Sequence, residues 1–312
     1  SGDDVLEGLL RCSDPSCLYE YPIIDGIPFL LPSLPSFLAA NVDSIQSRND
    51  LSPVIQSVLG DCCGPGARFD VSRQQLSSYC WCHYGDLDPD HHDPDAGSTV
   101  RVLRVFDTEL ENAPVGPVID LGCSVGRTAF ELADQADCLT LGIDINVTFL
   151  RTASDVLRTG RLRYPQKRVG LVYEERDFPV DLPNSENVDF WACDATRLPF
   201  SNGLFAQCVS LNTLDSVPSP VGLLQSMAAI TLPNGLICVA CPYDWTGSVT
   251  PVEGWIGGHS QRAEHKGQSE TILSQLMNDP GLGLGSQLKI LTEQNDIPWT
   301  VRLHDRSRVC YS

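Results

Sequence analysis

The chain has 312 residues, an ordinary apolar share of 42% and a formal net charge of −19. That length admits one large domain, or one domain with an appendage, and so acidic a surface repels phosphate backbones, so no nucleic-acid partner is expected; solubility alone explains the acidity equally well. No apolar run reaches the roughly 18 residues that span a bilayer, and no basic stretch followed by an apolar one marks a secretory leader, so no membrane partner is expected.

Residues 1–35 read as a distinct segment. Asp25-Gly26 between the apolar pairs Ile23-Ile24 and Ile27-Pro28 signals a hairpin turn. A piece this small holds no core of its own and should pack on something larger. Residues 36–115 read as a mainly helical cap. The spans 37–47, 53–59 and 72–81 carry apolar residues at three- and four-residue spacing. A polar loop over 86–95 follows, and then a helix capped by Ser98 or Thr99 and running to about 111.

From residue 116 to the end the pattern changes to alternating strands and helices. Strands are expected at 118–121, 139–144, 188–193, 206–211 and 236–241. Helices are expected at 127–134, 147–157 and 221–230. Such alternation implies an α/β, doubly wound, Rossmann-like sheet of parallel strands joined by right-handed crossovers, of the seven-stranded type. Residues 158–187 form a long insertion rich in charge and proline, and 288–303 with 308–312 read as a closing hairpin. The thirteen cysteines are odd in number and scattered, and Cys193, Cys208 and Cys238 fall inside predicted strands. That is not the pattern of a secreted disulfide framework, and a cytoplasmic compartment is expected.

The first strand ends in Asp120 and runs through Leu121-Gly122-Cys123-Ser124-Val125-Gly126 into a helix starting at Arg127. A strand, a glycine-bearing loop and a helix make a nucleotide-binding switch point. Gly122 and Gly126 allow positive φ and close approach of the backbone to a ligand. The G-x-x-x-G spacing differs from the G-x-G-x-x-G of dinucleotide enzymes and matches the looser loop of S-adenosylmethionine (SAM) enzymes. Asp144 ends the second strand about 20 residues on, where an acid accepts both ribose hydroxyls. Cys193-Asp194-Ala195 ends the third, where Asp194 is placed to accept from the adenine amine. Asp120, Gly122, Cys123, Gly126, Arg127, Asp144, Asp194 and Ala195 are therefore the candidate cofactor residues. SAM is the expected cofactor and S-adenosylhomocysteine the expected product.

Two resemblances add to this reading. Tyr21-Pro22-Ile23-Ile24-Asp25-Gly26-Ile27-Pro28 resembles the end of a small zinc-ribbon-like module that is fused to, or partners, methyltransferases. That module has two cysteine pairs, whereas only Cys12 and Cys17 occur here. They supply at most half of a four-ligand zinc site, so structural zinc is not expected and no residue is assigned as a metal ligand. His91-His92-Asp93 reads equally well as a metal cluster or as a polar loop.

Residues 76–310 resemble the 4-mercaptohistidine N-methyltransferase domain of ovothiol biosynthesis. The resemblance rests on Tyr79-Cys80-Trp81-Cys82-His83-Tyr84-Gly85, on the Asp120–Arg127 loop, on Leu211-Asn212-Thr213-Leu214, on Pro242-Tyr243-Asp244-Trp245, on Thr250 through Gly258 with Trp255, and on Asp296-Ile297-Pro298-Trp299 with Arg302. It implies N-methylation of the imidazole of a histidine-derived thiol. Other readings are methylation of another small N, S or As acceptor, and a SAM-binding scaffold without turnover. A small-molecule acceptor is the expected partner; a homo-oligomer or a partner enzyme of the same pathway is left open.

On this reading His83, with Tyr84 beside it, takes the acceptor's proton, though a histidine bonded to a nearby loop fits as well. Tyr79 lines the cofactor pocket or packs in the core. Asn212, which also touches the cofactor, and Tyr243 position the acceptor, and Trp245 and Trp255 stack on a flat substrate. Arg302 forks onto a substrate carboxylate, or forms an ion pair.

Overall fold

The structure is a computed structural model that describes residues 5–17, 19–47, 51–278, 284 and 288–311. Its centre is the short apolar strand β4 (Val118–Leu121), buried on both faces. Parallel to it on one side lie β5 (Thr140–Asp144) and then β8 (Val188–Cys193). On the other side lie β9 (Phe205–Leu211) and then β10 (Thr231–Ala240). Between β4 and β5 runs helix α6 (Arg127–Ala136), α7 (Val147–Thr159) follows β5, and α8 (Pro220–Ile230) joins β9 to β10. Strands covered on both faces need no polar side, which is why the sequence shows short apolar runs rather than alternation. The doubly wound α/β arrangement expected from the sequence is the one observed.

The edges of the sheet differ from the seven-stranded expectation. The N-terminal segment forms β1 (Glu7–Arg11), β2 (Glu20–Ile24) and β3 (Ile27–Leu30), and these join the central sheet instead of standing apart. Strand β3 runs parallel to β8, with Phe29 opposite Ala192 and Leu30 opposite Cys193. The Asp25-Gly26 turn, with both residues at positive φ, leads back to β2, and β1 closes the edge of an eight-stranded sheet. Phe29 and Ile27 sink into the core, and their burial is what fixes the segment to the sheet.

At the other end of the chain, β11 (Trp299–His304) and β12 (Ser307–Tyr311) form the expected hairpin, but it stays a separate two-stranded sheet. It packs on α3 (Arg68–Tyr84) and α4 (Ser98–Arg104). The Ser78 hydroxyl donates to the Arg302 carbonyl at 2.7 Å and the Ser98 hydroxyl to the Thr300 carbonyl at 2.8 Å. These side-chain bonds hold the hairpin away from the parallel sheet. Ser312 lies outside the described residues.

Other differences are local. Helices α1 (Leu34–Gln46) and α2 (Pro53–Cys63) match the first two apolar patterns. The single helix expected over 98–111 is two, α4 and α5 (Asp107–Glu111), and Gly97 stands at the N-cap because Ser98 spends its hydroxyl on β11. The insertion contains a β-hairpin, β6 (Arg161–Val169) with β7 (Val172–Pro179). It leans on α3, where the Ser77 hydroxyl accepts the Lys167 N–H at 2.8 Å. Helix α9 (Ser269–Asn278) follows the loop after β10. All thirteen cysteines are free thiols, and Cys193, Cys208 and Cys238 are buried as small core hydrophobes. Among the described residues, no helix is long and apolar enough to cross a membrane.

Candidate active site

The order β5-β4-β9 places the reversal of winding at β4, since the chain goes to one side for β5 and later returns to the other for β9. A crevice opens at such a switch point, outside the carboxyl ends of the strands. The loop 122–126 lies there. Gly122 and Gly126 both have positive φ, +82° and +89°, and Ser124 shares that region at +53°. The glycines are needed for a second reason that the sequence does not show. A Cβ on Gly122 would run into the Thr213 hydroxyl, and one on Gly126 would stand 2.6 Å from the Phe190 ring and 2.7 Å from the Ala153 methyl. The close approach at these two positions is thus to the protein's own side chains.

Three carboxylates flank the loop. Asp120 is buried, and its Oδ2 accepts a hydrogen bond from the Thr128 hydroxyl on α6. Burial raises its pKa to about 7, and the nearby Asp144 adds to the rise. Asp144, half-buried at the end of β5, accepts the Ser124 N–H at 2.9 Å and the Asn146 N–H at 2.8 Å. Its pKa is raised by burial against the pull of those donors. Asp194, half-buried after β8, accepts the N–H of Thr196 at 2.9 Å and its hydroxyl at 2.7 Å through one oxygen. A carboxylate offers about four acceptor positions, so Asp144 and Asp194 each retain capacity for a ligand. Ala195 beside it packs partly on the core. Cys123 is fully packed, its thiol driven well above its ordinary pKa by burial.

Arg127 starts α6 but is turned away from ligand duty. Its guanidinium pairs with Glu131 at 2.6 Å and donates to the His83 carbonyl at 3.2 Å and to Asp86 at 3.3 Å. It therefore ties α6 to α3. The same junction is closed by Tyr84, whose buried hydroxyl donates to the Val125 carbonyl at 2.8 Å. These two residues fix the glycine loop from behind.

Helix α3 then presents Tyr79 and His83, one turn apart, with ring centroids 6.5 Å from each other. The Tyr79 ring packs on Phe149 of α7 at 4.7 Å. It is 38% exposed, and desolvation raises the pKa of its hydroxyl to about 12, with Asp144 and Asp215 adding to the rise. His83 is 4% exposed, and its Nδ1 has no hydrogen-bond partner among the described residues. Burial lowers its pKa to about 3, with the Arg127 cation helping, so the expected titration near 6.5 does not hold. The imidazole is neutral at pH 7 and a poor proton acceptor.

Across the crevice, Asn212 follows β9 in the left-handed region at φ +54° and donates its N–H to the Ala240 carbonyl at 2.8 Å. Tyr243, also at φ +54°, follows β10. Tyr243, Trp245 and Trp255 form a row, with centroids 6.3 Å and 6.2 Å apart, the two tryptophans stacked at 17°. Trp245 donates to the Ser269 hydroxyl at 3.2 Å and Trp255 to the Thr250 carbonyl at 2.8 Å, which locks the row. Arg302 lies elsewhere. It is buried between the C-terminal hairpin and β6, pairs with Asp305, and donates to the Lys167 carbonyl at 3.0 Å. The geometry thus favours its ion-pair reading over a substrate fork.

Sequence reasoning passed over three residues here. Thr213 fills the space left by Gly122 and donates to the Leu121 carbonyl at 3.2 Å. Asp215 is buried, accepts the Asp244 N–H at 2.7 Å, and so holds the loop that carries Tyr243 and Trp245. Ser124 has a buried hydroxyl with no partner among the described residues. Of these, only Ser124 carried a signal, its place inside the glycine loop. No group of three or more His, Cys, Asp or Glu able to hold a metal occurs among the described residues, and the His91–Asp93 loop is tied down by Asp88 and Arg308.

Residues 119–239, from β4 to β10, match the family described as methyltransferase domain. The chain is 24% identical over 159 residues to the methyltransferase GfsG of Streptomyces halstedii, an alignment covering 51% of this chain and 49% of that protein. It thus spans about half the length of this curated relative. Among solved structures, the CcbJ methyltransferase of Streptomyces caelestis matches at 18% identity and TM-score 0.36, covering 54% of this chain and 57% of its own. A complex between the Haloferax volcanii Trm112 methyltransferase activator and a methyltransferase matches at 19% identity and TM-score 0.33, covering 47% of this chain and 57% of the matched chain. Over residues 119–239 the parallel core is thus similar to methyltransferase domains.

Proposed function

We propose that the chain is a SAM-dependent methyltransferase acting on a small acceptor, the imidazole of a histidine-derived thiol of the 4-mercaptohistidine kind. The single observation that carries the cofactor part is the pair Asp144 and Asp194. They end adjacent parallel strands beside the glycine loop, at the switch point of a domain matching the methyltransferase family, with acceptor capacity to spare. The buried, unpartnered Ser124 hydroxyl in the loop is a further sign that a polar ligand completes this site. Asp144 takes the ribose hydroxyls and Asp194 the adenine amine. The loop 122–126, which Tyr84 and Arg127 hold from behind, takes the amino-acid end.

When bound, SAM supplies a methyl group on a sulfonium, open to in-line attack. The protein's part is to align the acceptor and exclude water. Tyr79 on one side and Asn212 and Tyr243 on the other bound the space an acceptor would enter. The Tyr243–Trp245–Trp255 row offers flat faces to an imidazole. A neutral imidazole carries its own lone pair, so attack needs no base near pKa 7, and the methylated ring releases its proton to water afterwards. His83, neutral and buried, is not required as a proton acceptor on this account.

The test is incubation of the purified chain with SAM and a panel of imidazole thiols, free thiols and arsenite, with mass detection of products. Addition of one methyl group to an imidazole thiol is expected. Methylation confined to the free thiols or arsenite overturns the acceptor class, and SAM binding without turnover of any acceptor favours the scaffold reading.

A further inference from the structure

The two ends of the eight-stranded sheet are finished differently. Strand β10 closes one end, where Pro233 and a register shift between Thr231 and Leu236 interrupt the strand. Strand β1 closes the other, and its pairing with β2 runs from Glu7 to Arg11 without a shift. All five of its residues are exposed, so neither face is covered. Val5, Leu6, Leu9 and Leu10 are 36–58% exposed along this edge. A flat, apolar, unbroken edge is a template for another strand, and sheet proteins ordinarily block it with lysine, proline or a bulge. Glu7–Arg11 contains none of the three.

The bonds at its two ends show which backbone groups are free. The Cys12 N–H donates to the Tyr19 carbonyl at 3.3 Å, and the Leu6 carbonyl accepts the Gly26 N–H at 3.0 Å. In an antiparallel pair alternate residues bond the neighbouring strand, so the even-numbered residues of β1 are the ones that bond β2. Leu9 fits this phase, because it stands opposite Pro22, which has no N–H to give. The N–H and C=O groups of Glu7, Leu9 and Arg11 therefore point out of the sheet.

We propose that this edge is a homodimer interface, on which β1 of a second copy of the chain pairs antiparallel about a two-fold axis at Leu9. Charge identifies the occupant and the register. Leu9 then meets Leu9 of the second copy, and Glu7 meets Arg11 of the second copy at both ends, so opposite charges bracket an apolar centre. These three pairs join the residues whose backbone groups are free. Shifting the register by one such pair in either direction sets Glu7 or Arg11 against leucine. Leu10 falls opposite Gly8 of the second copy, where no side chain stands in its way. Arg11 keeps its bond from Nε to Glu20 at 2.8 Å and offers its other guanidinium N–H groups to Glu7 of the second copy. The pairing is independent of the SAM reading.

The test is sedimentation equilibrium of the full chain at about 0.15 M salt, which screens the net charge of −19. A strand-edge contact is small for a protein interface, so half-dimerisation is expected at roughly 10–100 µM. Leu9→Lys sets two like charges face to face at the axis and should weaken the dimer about tenfold or more. Leu9→Pro removes an outward N–H without touching a bond to β2 and should weaken it similarly. Glu7→Arg and Arg11→Glu should each weaken the homodimer about tenfold. An equal mixture of those two variants should dimerise like wild type, because every charged pair across the interface is again opposite in sign. The melting temperature of each variant checks its fold.

A wild type that stays monomeric up to about 1 mM overturns the proposal. So does a dimer that Leu9→Lys and Leu9→Pro leave intact at an unchanged melting temperature, since another face then holds it. A mixture of Glu7→Arg and Arg11→Glu no more dimeric than either variant alone overturns the two-fold register at Leu9.

Discussion

Asp120 provides a perturbation whose sign and size follow from the fold. Its carboxyl is buried beneath the loop, with a pKa of about 7 against 3.8 for the unperturbed group. The folded protein therefore binds a proton more tightly here than the unfolded chain does. Its stabilising effect is fully present below the unfolded pKa and is lost as pH rises through the folded one. The window runs from about pH 4 to about pH 7. A shift of about three units corresponds to roughly 4 kcal/mol over that window. For a domain of this size that is about 10 °C in melting temperature. Asp120→Asn keeps the shape and an oxygen for the Thr128 hydroxyl but cannot ionise. The assay is thermal unfolding of both proteins from pH 4 to pH 8, read as their difference. This removes contributions common to both, including those of Asp70 and Asp88, whose lowered pKa values act in the opposite direction. The variant should gain on wild type as pH rises, with the gain levelling off above pH 7. Parallel curves would refute the claim that Asp120 is held protonated by burial.

Two further substitutions probe the frame around the loop. Gly126→Ala forces a side chain into φ +89° and against Phe190 and Ala153, and should cost about 2–5 kcal/mol by denaturant unfolding; a loss under 1 kcal/mol would contradict the packing described. Arg176→Ala strands Asp88, which is buried and accepts from Arg176 at 2.9 Å, and should cost about 3–5 kcal/mol at pH 7. Because pairing with Arg176 and a backbone N–H holds the Asp88 pKa down despite burial, that contribution is present above the ordinary carboxylate pKa and fades as acid protonates Asp88. The gap between variant and wild type should therefore narrow as pH falls below about 4, and a gap constant with pH would argue against the ion pair.

Local pattern carried the parallel core. The runs at β4, β5 and β9 are apolar because both faces are covered, and the amphipathic repeats of α6 and α7 follow β4 and β5, so their order followed from the chain. What escaped was set by distant contacts. Nothing in Phe29 and Leu30 announces Ala192 and Cys193 as their partners, so the entry of β3 into the sheet could not be read. Strand β6 contains Pro165, which argues against a strand, and its charged residues alternate with buried ones only because β7 and α3 cover one side. In the site, Asp144 and Asp194 were legible because strand ends place them. The depth of His83 was not, because it depends on how α3 docks through Tyr84 and Arg127.

The central claim is that the crevice at the ends of β4, β5 and β8 binds SAM through Asp144. It is tested most directly by calorimetric titration of S-adenosylhomocysteine into wild type and into Asp144→Ala, both checked for an intact fold. Loss of charge-assisted hydrogen bonds to the ribose should weaken binding about tenfold to a hundredfold in the variant. One site per chain in wild type with that loss in the variant is the predicted result. No heat of binding at millimolar ligand in wild type, or equal affinity in both proteins, would contradict it.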